Sequence, residues 1–136
     1  MAVLRDNILL LLVGIMFLGG CTLIPEKYRP GAQPAQVAGD QLLAKGIKSY
    51  ENGEYGSAAK TINEALEAGF SQKRGSATAH KYLAFIACSS DNTRKCEDEF
   101  RMAFQNDPGF ALTKAEEGHP VWGPIYRKVR DQIKSR

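Results

Sequence analysis

Residues 55–69 read YGSAAKTINEALEAG, and this stretch decides the fold. Ala58, Ala59, Ile62, Ala65 and Leu66 recur at the three- and four-residue spacing that gathers side chains on one face of an α-helix. Gly69 follows in the position just past the last turn, where a left-handed residue meets little steric penalty. The pattern continues in both directions. Upstream, residues 37–52 carry Ala38, Leu42, Leu43, Ile47 and Tyr50 at helical spacing before Gly53 interrupts them. Downstream, the polar run Ser71-Gln72-Lys73-Arg74-Gly75 predicts a loop, and residues 76–89 carry Ala79, Tyr82, Leu83, Phe85 and Ile86. Asp91-Asn92 predicts a turn, with Asn92 or Thr93 as the cap of the next helix. That helix, residues 94–106, carries Cys96, Phe100, Ala103 and Phe104 until Asp107-Pro108 stops it. No segment reads as a strand, so the expected fold class is all-α.

The two predicted helix pairs superpose in sequence with an offset of 38 residues. Gly46 falls on Ala84, Tyr50 on Cys88, Ala58 on Cys96, Ile62 on Phe100, Ala65 on Ala103 and Leu66 on Phe104. Residues 38–110 thereby resemble the tetratricopeptide family, through Gly46, Gly53, Tyr55, Ala58, Ile62 and Ala65 in one repeat and Leu83, Ala84, Phe100, Ala103 and Pro108 in the other. The family's usual period is 34 residues, so four extra fall in the 71–75 loop, and the first repeat closes with Gly69-Phe70 instead of proline. The resemblance implies two helix-turn-helix repeats whose first helices line a concave face that grips a peptide or partner helix. The matching positions are Leu43, Ile47, Tyr50 and Glu51 in the first repeat and Lys81 and Phe85 in the second. Each repeat buries its apolar face only against a neighbour, so an array this short is expected to need a staple and a cap.

The cap is expected in residues 110–136. Pro120 and Pro124 bracket Trp122 and prevent one helix from running through it. Pro124 can open a helix over residues 125–134, with Ile125, Val129 and Ile133 along one face and basic residues on the other. Trp122 has two readings: it covers the open end of the last repeat, or it forms a partner hot spot. Five bases against one acid over residues 121–136 suit either a solvated helix face or contact with anionic lipid.

At the other end, Arg5 precedes an almost wholly apolar run, Ile8 to Gly20, that stops at Cys21. A short charged start, about 13 apolar residues and small residues before a cut describe a secretory signal peptide, and the run is short for a membrane span. Leu18-Gly19-Gly20-Cys21 resembles the bacterial lipobox, which implies cleavage after residue 20 and acylation of Cys21. Cleavage would leave 116 of the 136 residues, room for one small domain at a net charge still of +3, because the signal holds one base and one acid. With Cys21 lipidated, Cys88 and Cys96 remain as a pair, and an oxidising compartment is expected to join them. Their spacing fits neither a redox CxxC motif nor a metal site. Residues 21–36, with three prolines and no apolar periodicity, read as a semi-rigid tether.

Catalytic chemistry is sought and not found. His80 and His119 have no acid at liganding spacing, and Glu64/Glu67 and Glu116/Glu117 read as solvated faces. No phosphate loop follows a strand, and the modest charge argues against nucleic acid. The expectation is a non-enzymatic protein without metal or cofactor, lipid-anchored in the cell envelope and binding a protein partner there. Such lipoproteins resemble pilotin-like and accessory lipoproteins of pili and secretion systems, and GHPVWGPIYR at residues 118–127 is similar to those of type VI secretion loci. Thr22 in place of an aspartate favours the outer membrane, facing the periplasm. The alternative is a general envelope or cell-wall structural lipoprotein without a single client.

Overall fold

The computed structural model describes residues 34–135. The expected signal peptide, Cys21 and the tether up to residue 33 lie outside the described residues. Those described are all-helical, in the order α1 (Pro34–Glu51), α2 (Tyr55–Ala68), α3 (Lys73–Ser89), α4 (Thr93–Asn106), α5 (Lys114–Glu117) and α6 (Gly123–Lys134). α1 packs along α2 and α3 along α4, giving two hairpins. α3 also touches both helices of the first hairpin, and α6 closes over α4.

Local chemistry sets the boundaries. Residues 34–36, expected in the tether, are already helical in α1. Gly69 ends α2 at φ 79°, donating its N–H to the Ala65 carbonyl at 3.1 Å. The expected 71–75 loop is shorter than predicted, and α3 starts at Lys73. Gly75 permits this: the Phe70 ring lies across the first turn, and a Cβ on Gly75 would stand 2.5 Å from its Cγ. Between α3 and α4 the cap is Asn92, whose side chain accepts from the Lys95 N–H at 3.1 Å.

Burial repeats with the same 38-residue offset as the sequence. Ala58, Ile62 and Ala65 are fully buried in the first hairpin, as are Cys96, Phe100 and Ala103 in the second. Helices cross closely at Gly46, where a Cβ would meet the Ile62 side chain at 2.5 Å. One core gathers Leu43, Ala58, Ile62, Ala65, Ala79, Leu83 and Ile86. The other gathers Phe85, Cys88, Cys96, Phe100, Leu112, Tyr126 and Val129. α3 supplies both, so it is the one helix buried nearly all round. Cys88 and Cys96 are disulfide-bonded inside the second core, with Cα atoms 5.2 Å apart.

The cap departs from its expected face. Tyr126 and Val129 are buried, Ile125 is half-buried, and Ile133 is exposed in a groove with Arg101, Phe104 and Gln132. The Tyr126 hydroxyl accepts from the Leu112 N–H at 3.3 Å, tying the cap to the loop after α4. Sealing Tyr126 and Val129 from water contributes roughly 1.5–3 kcal/mol for each side chain. A four-residue helix, α5, is added by a capping box: Thr113 Oγ1 accepts from the Glu116 N–H, and Glu116 Oε2 accepts from the Thr113 N–H.

Candidate partner-binding site

The end of α1, the start of α2 and one side of α3 bring a row of aromatic rings together. Tyr50 lies 5.4 Å from Tyr55 and 5.2 Å from Tyr82, meeting Tyr82 edge to face. Tyr82 is 5.9 Å from Phe85, and Phe85 stacks on Trp122 at 4.3 Å. Trp122 stacks in turn on His119 at 3.4 Å. The row therefore runs from an exposed tyrosine at the first turn to the segment joining α5 and α6.

That joining segment covers half of the face. Glu116 pairs with Lys81 at 2.7 Å, and the Lys81 ammonium sits over the Tyr82 ring at 4.8 Å. The Trp122 indole N–H donates to the Glu116 carbonyl at 2.9 Å, which fixes its ring against Phe85. Burial pushes the Glu116 carboxyl up, but the Lys81 ammonium and the Thr113 amide and hydroxyl outweigh it and hold it below the ordinary value. Burial, with Tyr55, Tyr82 and Glu116 nearby, pushes the Tyr50 phenol up to about 12. Tyr50 thus stays protonated and able to donate throughout the neutral range.

The six residues expected on a concave face divide sharply. Leu43 and Phe85 are interior, 8% and 3% exposed, so their side chains hold the core and do not line an open surface. Lys81 is engaged by Glu116, and Trp122 is half-buried as a cover over the second hairpin. Ile47 and Tyr50 are half-buried and Glu51 is exposed, so the first hairpin keeps its side open. Tyr55, 42% exposed, and half-buried Tyr82 join that open face, although the sequence pattern marks them only as a motif position and a core stripe. Their signal is chemical rather than periodic: both are tyrosines, the apolar residue that keeps a polar end.

Two other expectations need correction. His80 does find an acid, Glu99 of α4, with Nδ1 2.7 Å from Oε2, because packing joins residues 19 apart. Glu116 and Glu117 are not a solvated pair: Glu117 bonds Arg130 at 2.6 Å, and its carbonyl accepts from Arg127 at 2.8 Å. The basic face of α6 stays largely exposed, as a solvated face would, with Lys128 bonding Glu97 at 2.6 Å. Lys128, with Arg101 beside it, holds the Glu97 carboxyl below its ordinary value. Among the described residues, no group of three or more His, Cys, Asp or Glu could hold a metal ion, and no helix is long and apolar enough to cross a membrane. Neither a protein-family model, nor a curated protein, nor a solved structure matches the chain.

Proposed function

We propose that the protein is a lipid-anchored adaptor of the cell envelope, built from two tetratricopeptide-like hairpins. It holds a protein partner on the face formed by Ile47, Tyr50, Glu51, Tyr55 and Tyr82. The observation that carries the reading is the row of three tyrosines, Tyr55 exposed and Tyr50 and Tyr82 half-buried, beyond the part of the face that the C-terminal segment covers. Tyrosine combines a large, stiff contact area with a polar tip, which suits a surface that is wet when empty and dry when occupied. The 38-residue recurrence of burial supports the repeat assignment, and the lipobox-like LGGC ending at Cys21 supports the anchor.

Two measurements test the proposal. Cys21→Ser should release the protein from the membrane fraction or leave it as precursor; unchanged fractionation without an acyl mass refutes the anchor. A photo-crosslinking residue at Tyr55 should capture one dominant envelope protein in cells. A diffuse ladder of products would instead favour a general structural lipoprotein.

A further inference from the structure

We propose that residues 113–122 form a strap that lifts off α3 while the rest of the described helical body stays folded, and that its closed position withholds Lys81 and Phe85 from a partner. The withholding rests on the partner-binding reading; the lifting does not. Leu112 and Gly123 are both buried, whereas every residue between them is exposed or half-buried. Burial ties a segment to the global unfolding of its domain, and a stretch without it opens at lower cost. The strap therefore has two fixed ends and no buried side chain of its own. Leu112 is fixed by the core and by its N–H bond to the Tyr126 hydroxyl at 3.3 Å. Gly123 is fixed as the first residue of α6.

Among the described helices, α5 packs against α6 alone. The strap's turns are closed by its own backbone, through Glu117 N–H to Thr113 C=O at 2.8 Å and His119 N–H to Glu116 C=O at 3.2 Å. It can leave α3 without losing these bonds. On α3 it is held by side chains: Glu116 on Lys81 at 2.7 Å and Trp122 on Phe85 at 4.3 Å. The Trp122 indole N–H on the Glu116 carbonyl at 2.9 Å couples the two holds, so they release together. Both partners of the ion pair keep some exposure, 17% and 24%, so water replaces the contact as it opens. Glu117 stays bonded to Arg130 of α6, which gives the strap a side about which to turn.

Lys81 and Phe85 follow Leu43 and Ile47 at the 38-residue offset that relates the two hairpins. Lifting returns to this stretch of α3 an unpaired ammonium and an uncovered aromatic ring. Both lie beside Tyr82, which is 5.9 Å from Phe85 and 5.2 Å from Tyr50. The partner face then extends from the first hairpin onto the second.

Trp122 is the chain's single tryptophan, so its emission reports the strap. The full chain in detergent is unfolded with urea and followed by Trp122 emission and by far-ultraviolet circular dichroism. In the wild type the emission change should come first, at lower urea than the loss of helix. Glu116→Gln should raise the open-to-closed ratio about two- to fivefold, moving the emission change to lower urea by more than it moves the helix midpoint. Lys81→Glu combined with Glu116→Lys should restore it. Coincident transitions in the wild type, or a Glu116→Gln variant that shifts both equally, make the strap part of one cooperative unit and overturn the proposal. In cells, Glu116→Gln should raise capture by the crosslinking residue at Tyr55 by the same factor. Unchanged capture beside an early emission change overturns the withholding and leaves the lifting. A diffuse ladder at Tyr55 removes the partner reading, and the withholding with it.

Discussion

Replacing both bridged cysteines by alanine should lower the melting temperature by about 12 °C, and the size of the effect follows from the geometry. Cys88 and Cys96 are eight positions apart, so the bond closes a loop of about nine residues. On the chain-entropy model, restoring that loop's freedom to the unfolded chain costs about 2.5 kcal/mol of stability. An unfolding entropy of about 2.1 cal/mol/K per residue over a domain of about 100 residues converts this to about 12 °C. The turn's own hydrogen bonds do not replace the constraint. Asn92 N–H to Ala87 C=O at 3.0 Å and Cys96 N–H to Asn92 C=O at 2.9 Å exist only in the folded protein, whereas the bond acts on the unfolded ensemble. Thermal unfolding followed by circular dichroism, with and without reductant, is the assay. The alanine variant and the reduced wild type should melt within a few degrees of each other. A fall below about 4 °C would refute the loop-entropy reasoning, because the unfolded chain would then gain little freedom from the cut.

Three more expectations follow from the core and the charged contacts. Phe85→Ala should cost about 3–5 kcal/mol in chemical denaturation and red-shift Trp122 emission, since Phe85 is 3% exposed and stacks on that indole; a loss no larger than that of Tyr55→Ser would place Phe85 outside the core. Glu97 and Glu116 are held below the ordinary carboxyl value of 4.5, so the stability they contribute is present above that value and lost as pH falls through their lowered ones. Melting temperature should hold steady from neutrality to about pH 5 and drop below it, and an unchanged acid profile in Glu116→Gln would count against the Lys81 pairing. The Tyr50 phenol is raised to about 12, so its contribution is complete below pH 10 and fades as pH climbs to about 12. An ultraviolet titration should show a late tyrosine phase that Tyr50→Phe removes, and a titration in which that phase survives would misassign it.

Local signals in the sequence specify the four long helices because local chemistry decides them. The stripe through Ala58, Ile62 and Ala65, the stop at Gly69 and the cap at Asn92 each act within a few residues of themselves. The paired cysteines are legible for the same reason, as they flank one turn. What sequence spacing could not place lies across long separations. Lys81 meets Glu116 from 35 residues away, and Arg101 meets Gln132 from 31. Periodicity cannot see α5 either, since four residues are too few to show a period, although the Thr113–Glu116 capping box is visible as a motif. For the expected concave face, the pattern treats Leu43 and Phe85 as surface, although they are buried, because helical spacing alone does not say which of two apolar faces a neighbour will cover.

α3 explains why the uncovered aromatic side chains lie on the first hairpin. It feeds both cores, so its second side must be covered by something other than another repeat. The C-terminal segment provides the cover with Trp122 over Phe85 and Glu116 on Lys81, which removes those two positions from any partner while the cover is closed. Its reach ends there. Tyr82 remains at the border, edge-on to Tyr50 on the open side and 5.9 Å from Phe85 on the closed one. The core and the proposed binding face consequently share a boundary residue, and a truncation that removes the cap would disturb both, because Tyr126 and Val129 leave the core with it. Substitutions at Tyr55 and Glu51, which are exposed, separate the two: they alter the surface while leaving every buried contact in place.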